Sequence, residues 1–87
     1  MKHATQAALQ EISGLLEAIR SKPGLKEKSL GVFYRKAKWF LHFHEDPAGL
    51  FADLATGPEF ERLPVNSQAE WDTLLRSIDR LLAPAAP

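Results

Sequence analysis

The 87-residue chain sets 11 Lys and Arg against 11 Asp and Glu, so it gains no general long-range attraction to nucleic acid or to an anionic membrane. Hydrophobic residues make up 45% and charged residues 25%, ordinary globular values, and a chain this short builds one domain with one core, so any active site is shallow, shared with a partner, or absent. With no cysteine, disulfide staples, thiolate metal sites and thiol nucleophiles are excluded.

Lys2 is not followed by the apolar run of a secretion signal, and no stretch approaches the roughly 20 apolar residues of a membrane span, which predicts a cytoplasmic protein. From Ala4 to about Arg20, Ala8, Ile12, Leu15, Leu16 and Ile19 recur at helical spacing and predict a first helix with one buried stripe. Lys22-Pro23-Gly24 stops it, and Leu25–Gly31 reads as a basic connector.

Between Val32 and Val65 the residues become aromatic and β-branched and are broken by turn signals, which predicts four strands near 32–35, 38–44, 50–54 and 60–65. Asp46-Pro47-Ala48-Gly49 is the strongest turn and makes the middle two strands a hairpin. Ser67 with Glu70 forms a capping box ahead of a stripe of Trp71, Leu74, Leu75, Ile78, Leu81 and Leu82, so a second helix spans about 67–82 before a frayed tail over 83–87. The expected fold is a single α+β domain of order α-β-β-β-β-α, an antiparallel meander with both helices on one face.

A four-residue loop Glu45–Ala48 sets Phe43 opposite Leu50 and Leu41 opposite Ala52, giving an inner face of Trp39, Leu41, Phe43, Leu50, Ala52 and Leu54. A two-residue turn at Lys36-Ala37 adds Val32 and Tyr34, and a loop at 56–59 adds Leu63 and Val65. The other face then carries Phe33, Arg35, Lys38, Phe40, His42, His44, Phe51, Asp53, Phe60 and Arg62, with Asp53 opposite Arg62 as a structural ion pair. Four phenylalanines left on an uncovered sheet face mark an interface or a groove. Exposed single aromatics, or helices straddling the sheet, are the plain alternative.

His42 and His44 point the same way about 6.6 Å apart along one strand, within chelating distance of one metal ion. The third ligand would be Asp53, or Glu45 or Asp46 from the turn, while the position of His3 is undetermined by the sequence. Paired strand histidines also serve as plain hydrogen-bonded or titrating surface groups. No serine lies in a nucleophile elbow, and Asp46 is explained by its turn, so no catalytic residue is assigned and enzymatic activity stays open.

The neutral total hides a segregation of charge. Arg20–Lys38 holds seven bases and one acid, whereas Glu45–Asp72 holds seven acids and one base. Basic residues interleaved with Phe33, Tyr34 and Trp39 could bind single-stranded nucleic acid or an anionic ligand through Arg35, Lys36, Lys38 and Trp39, although the acidic half opposes a nucleic acid. Opposed charge suits self-association better.

The run Val32–Leu54, with Phe-Leu-His-Phe-His-Glu-Asp at 40–46 and Gly-Leu-Phe-Ala-Asp-Leu at 49–54, resembles a small family of uncharacterised bacterial proteins of this length. The resemblance implies a bacterial, cytoplasmic, stand-alone domain and brings no activity or catalytic residue. The leading expectation is a non-enzymatic domain that forms a homodimer, or binds a partner, through the aromatic and histidine face. The alternatives are a divalent-metal module or small acid-base enzyme built on His42, His44, Glu45 and Asp53, and the anion binder.

Overall fold

The computed structural model describes residues 2–83. It runs β1 (Lys2–His3), α1 (Gln6–Glu11), α2 (Ser13–Arg20), β2 (Lys26–Ser29), β3 (Val32–Arg35), β4 (Lys38–Asp46), β5 (Gly49–Ala55), β6 (Phe60–Pro64) and α3 (Gln68–Leu82). The antiparallel sheet is ordered β2-β3-β4-β5-β6, with β1 paired to β4. The architecture is the expected α+β domain, but the sheet is larger than four strands.

Two strands were hidden for physical reasons. β2 is the edge sequence Lys-Glu-Lys-Ser, whose charges keep a sheet edge from pairing with other chains and make it read as a connector. β1 has only two residues, too few to show any period. The first helical stretch is also divided, because Ile12 leaves helical geometry at φ −114° and ψ 27°; Thr5 caps its start by accepting from the Ala8 N–H at 3.2 Å. The capping side chain of α3 is Ser67, as expected, while the Glu70 carboxylate accepts from the Asn66 N–H at 2.7 Å. Of the expected frayed tail, 84–87 lie outside the described residues.

The β4–β5 hairpin closes on a tighter loop than the sequence suggests, pairing Asp46 with Gly49, His44 with Phe51, and Leu41 with Leu54. The register is two residues from the expected one, so the side chains keep their faces. Asn66 fixes this end by accepting from the Leu50 N–H at 2.8 Å and donating to the Leu50 carbonyl at 3.0 Å. A Cβ at Gly49, where φ is 132°, would lie 2.7 Å from the Asn66 side-chain oxygen, so the position requires glycine.

A bulge changes the other half of the sheet. Phe33 pairs with Leu41 but Tyr34 pairs with Trp39, so β4 inserts Phe40 as an extra residue. The alternation of β3 and the start of β4 is therefore reversed relative to the rest of β4. Phe33 and Phe40 enter the core at 1% and 4% exposure, while Tyr34 and Trp39 turn to the other side. One core cluster joins Leu9, Leu15, Leu16 and Ile19 of the first two helices, and Ile12 between them, to Leu74 and Ile78 of α3, against Phe33, Leu41, Phe43, Ala52 and Leu54 of the sheet. Among the described residues, no helix is long and apolar enough to cross a membrane.

Candidate metal centre

On the sheet side turned away from this core, β4 presents His42 and His44, β5 presents Phe51 and Asp53, and β6 presents Phe60 and Arg62, with His42 opposite Asp53 and Asp53 opposite Arg62. Six of the ten residues expected on this face are thus brought together. The other four are not: Phe33 and Phe40 are core residues, Arg35 reaches the helix side and donates from Nη1 to the Leu81 carbonyl at 3.1 Å, and Lys38 is exposed at the β3–β4 turn. All four follow from the bulge and the reversed alternation of the strand pair it ends.

A residue that the sequence could not place completes the group. His3 pairs with His44 through β1, and its position is held by the Ala4 N–H donating to the Phe43 carbonyl at 3.1 Å and the Thr5 N–H donating to Glu45 Oε1 at 2.6 Å. Those Thr5 hydrogen bonds hold the exposed Glu45 carboxyl below its ordinary range. Glu45 is therefore committed to the N-terminal segment, and Asp46 Oδ1 accepts from the Ala48 N–H at 2.9 Å within its turn. Both alternative third ligands have structural work, and the third histidine takes their place.

The three imidazoles lie close together, with ring centroids 4.7 Å apart for His42–His44, 5.1 Å for His3–His44 and 5.7 Å for His3–His42. One nitrogen from each falls within 4.8 Å of the others. Ligands about 2 Å from a tetrahedral ion stand roughly 3.3 Å apart, so ring rotations of about an ångström would close the set. No family model matches the sequence, and no curated protein or solved structure matches it. What the site can do is therefore argued from its own chemistry.

His42 Nδ1 and both ring nitrogens of His44 are buried without a hydrogen-bond partner among the described residues. A buried polar atom left unpaired costs about 1–3 kcal/mol, and because the two nitrogens of an imidazole point apart, one nitrogen of each ring can take a shared partner. A divalent transition ion supplies one, because neutral imidazole is a preferred ligand of zinc, copper and nickel.

Behind the histidines, Asp53 is only 3% exposed. Burial pushes its carboxyl up, but the Arg62 hydrogen bonds, at 2.7 Å from Nε and 2.9 Å from Nη2, together with His44, pull it below its ordinary range, so it is a carboxylate. Asp53 Oδ2 also lies 3.0 Å from His44 Nε2, out of line for a hydrogen bond but close enough to attract a charged ring. The His42 pKa is lowered, first by burial and then by His44, against the opposing pull of Asp53. A depressed pKa keeps His42 in the neutral form that ligates metals.

Proposed function

We propose that this domain binds a divalent transition metal ion of the zinc class through His3, His42 and His44, with Asp53 supporting His44 from behind. The observation that carries the reading is the convergence of three imidazoles from two strands, about forty residues apart in sequence, in which His42 Nδ1 and His44 Nδ1 are buried without a hydrogen-bond partner among the described residues. Three protein ligands leave a fourth position open, as in metal sites that receive water or an outside ligand. The role proposed is binding. A cytoplasmic setting and the bacterial resemblance of 32–54 belong to this proposal.

Zinc titration followed by calorimetry and by the histidine ring resonances tests it. The expected result is one ion per chain with His3, His42 and His44 all shifted, and loss of binding in His42→Ala and in His44→Ala. Unshifted rings at saturating zinc reject the assignment.

A second reading is favoured by a separate observation. Trp39 and Phe60 remain 38% and 51% exposed with their rings 6.3 Å apart edge to face, and Trp39 borders His42 with ring centroids 4.7 Å apart. Exposed aromatics beside a polar cluster suit a contact surface, here a homodimer through the same sheet side. Light scattering across a concentration series decides it, and a strict monomer at high micromolar concentration with and without zinc removes it.

A further inference from the structure

The sequence sets seven cations in Arg20–Lys38, and the fold neutralises or occupies part of that charge. Arg20 is paired with Glu27, Lys22 Nζ lies 2.6 Å from Asp79, and Lys28 Nζ sits 5.3 Å over the Tyr34 ring. Arg35, Lys36 and Lys38 have no acidic partner among the described residues, and all three line one cavity of about 670 Å³ whose lining includes no Asp or Glu. That volume lies within the range of small-molecule sites. We propose that this cavity, beside the β3–β4 turn, binds a compact phosphate-bearing ligand of nucleotide size.

Geometry supports the assignment independently of the charge. The two-residue turn at Lys36-Ala37 has φ of 52° and 67°, the left-handed conformation that such turns ordinarily give to Asn and Gly. Residues held in sparsely populated backbone conformations concentrate at binding sites, and here the strain places an ammonium at the tip of a stiff loop. Arg35 is fixed from behind, since one of its N–H groups is spent on the Leu81 carbonyl, and a guanidinium keeps further donors for an oxyanion. Thr56 and Gly57 of the β5–β6 loop also line it, and Phe40, Pro58 and Leu81 add apolar surface for the body of the ligand. Guanidinium and ammonium donors beside an apolar wall fit a phosphate attached to a less polar body such as a nucleoside.

The same arrangement disfavours a long polyanion. Glu59 and Glu61 follow directly on the facing loop, so a strand leaving the cavity on that side meets like charge, whereas a compact anion does not. The inference does not depend on the metal reading, because the histidines do not line this cavity.

The test is a titration of the isotope-labelled full chain with adenosine monophosphate, and separately with inorganic pyrophosphate, at low ionic strength, followed by backbone amide resonances. Saturable shifts at Lys36, Ala37, Thr56 and Gly57 are expected, with half-saturation below about 1 mM for the nucleotide and several-fold weaker binding of pyrophosphate, which lacks the nucleoside. Lys36→Gln combined with Lys38→Gln should weaken nucleotide binding by at least about tenfold with unchanged thermal melting, because both side chains are exposed. Absence of saturation at millimolar nucleotide, equal affinity in the double variant, or pyrophosphate binding as tightly as the nucleotide overturns the proposal. So does affinity for single-stranded oligonucleotides that climbs with their length, which would mark a polyanion track.

Discussion

Asp53 holds its charge almost wholly out of water, and the two-pronged contact with Arg62 is what keeps it ionised there, while the Arg62 side chain remains 41% exposed. The contact is therefore asymmetric. Removing the guanidinium by Arg62→Ala strands a buried carboxylate and should cost clearly more than Asp53→Asn, which leaves a hydrated arginine and should cost about 1 kcal/mol. Urea unfolding of the two variants checks the order, and the reverse order would mean that Asp53 is not the buried partner. Because groups behind a metal ligand orient it, Asp53→Asn should also weaken zinc binding by about 10–100-fold while the ring shifts of His42 persist. His42 adds a pH dependence of definite sign. Its folded-state pKa is lowered, so its contribution is complete above its ordinary value near 6.5, declines as the unfolded chain takes up the proton first, and is lost as pH falls through the lowered folded value. Urea midpoints measured from about pH 7.5 downward should fall through this window, and His42→Asn should flatten the decline.

At the scale of elements, one bulge separates what could be read from the sequence from what could not. Alternation alone gave the faces of His42, His44, Phe51, Asp53 and Arg62 correctly, even though the hairpin register differs by two residues, because a shift of two preserves every face. The Asp53–Arg62 pairing, the Lys36-Ala37 turn and the Ser67 cap were likewise legible, since each rests on local turn or capping chemistry. The insertion of Phe40 was not, because a bulge leaves no mark in an aromatic-rich run, and it moved Phe33, Phe40, Arg35 and Trp39 together. His3 was invisible for another reason: a two-residue strand shows no period, and only the β4 partner gives it a place. The strained turn makes its own prediction. Ala37→Gly relieves a left-handed alanine worth about 1–2 kcal/mol but adds disorder to the unfolded chain, so a net stabilisation of about 0.5 kcal/mol is expected in urea or thermal unfolding. A clear loss of stability would show that the turn is not of this type in solution.

For the whole molecule, the proposed metal centre ties the N-terminal segment to the middle of the sheet. β1 makes only a two-residue pairing and both of its residues are exposed, so the protein alone holds His3 weakly. Ordering that segment without metal costs chain entropy that its few contacts barely offset, whereas an ion shared by His3, His42 and His44 binds only the ordered form. Linkage then sets the size of the effect: zinc at a hundredfold excess over its dissociation constant stabilises the fold by about 2.7 kcal/mol, and for a domain of this size each kcal/mol moves the melting temperature by about 4–8 °C. A rise of roughly 10–20 °C on adding zinc is expected for the native chain. His3→Ala should melt at nearly the native temperature in the presence of a chelator, because an exposed side chain on a marginal strand contributes little, yet it should lose most of the rise. The two measurements separate the possibilities, since a variant that melts low in both conditions has lost structure, and one that keeps the full rise shows that the ion is held without the N-terminal strand.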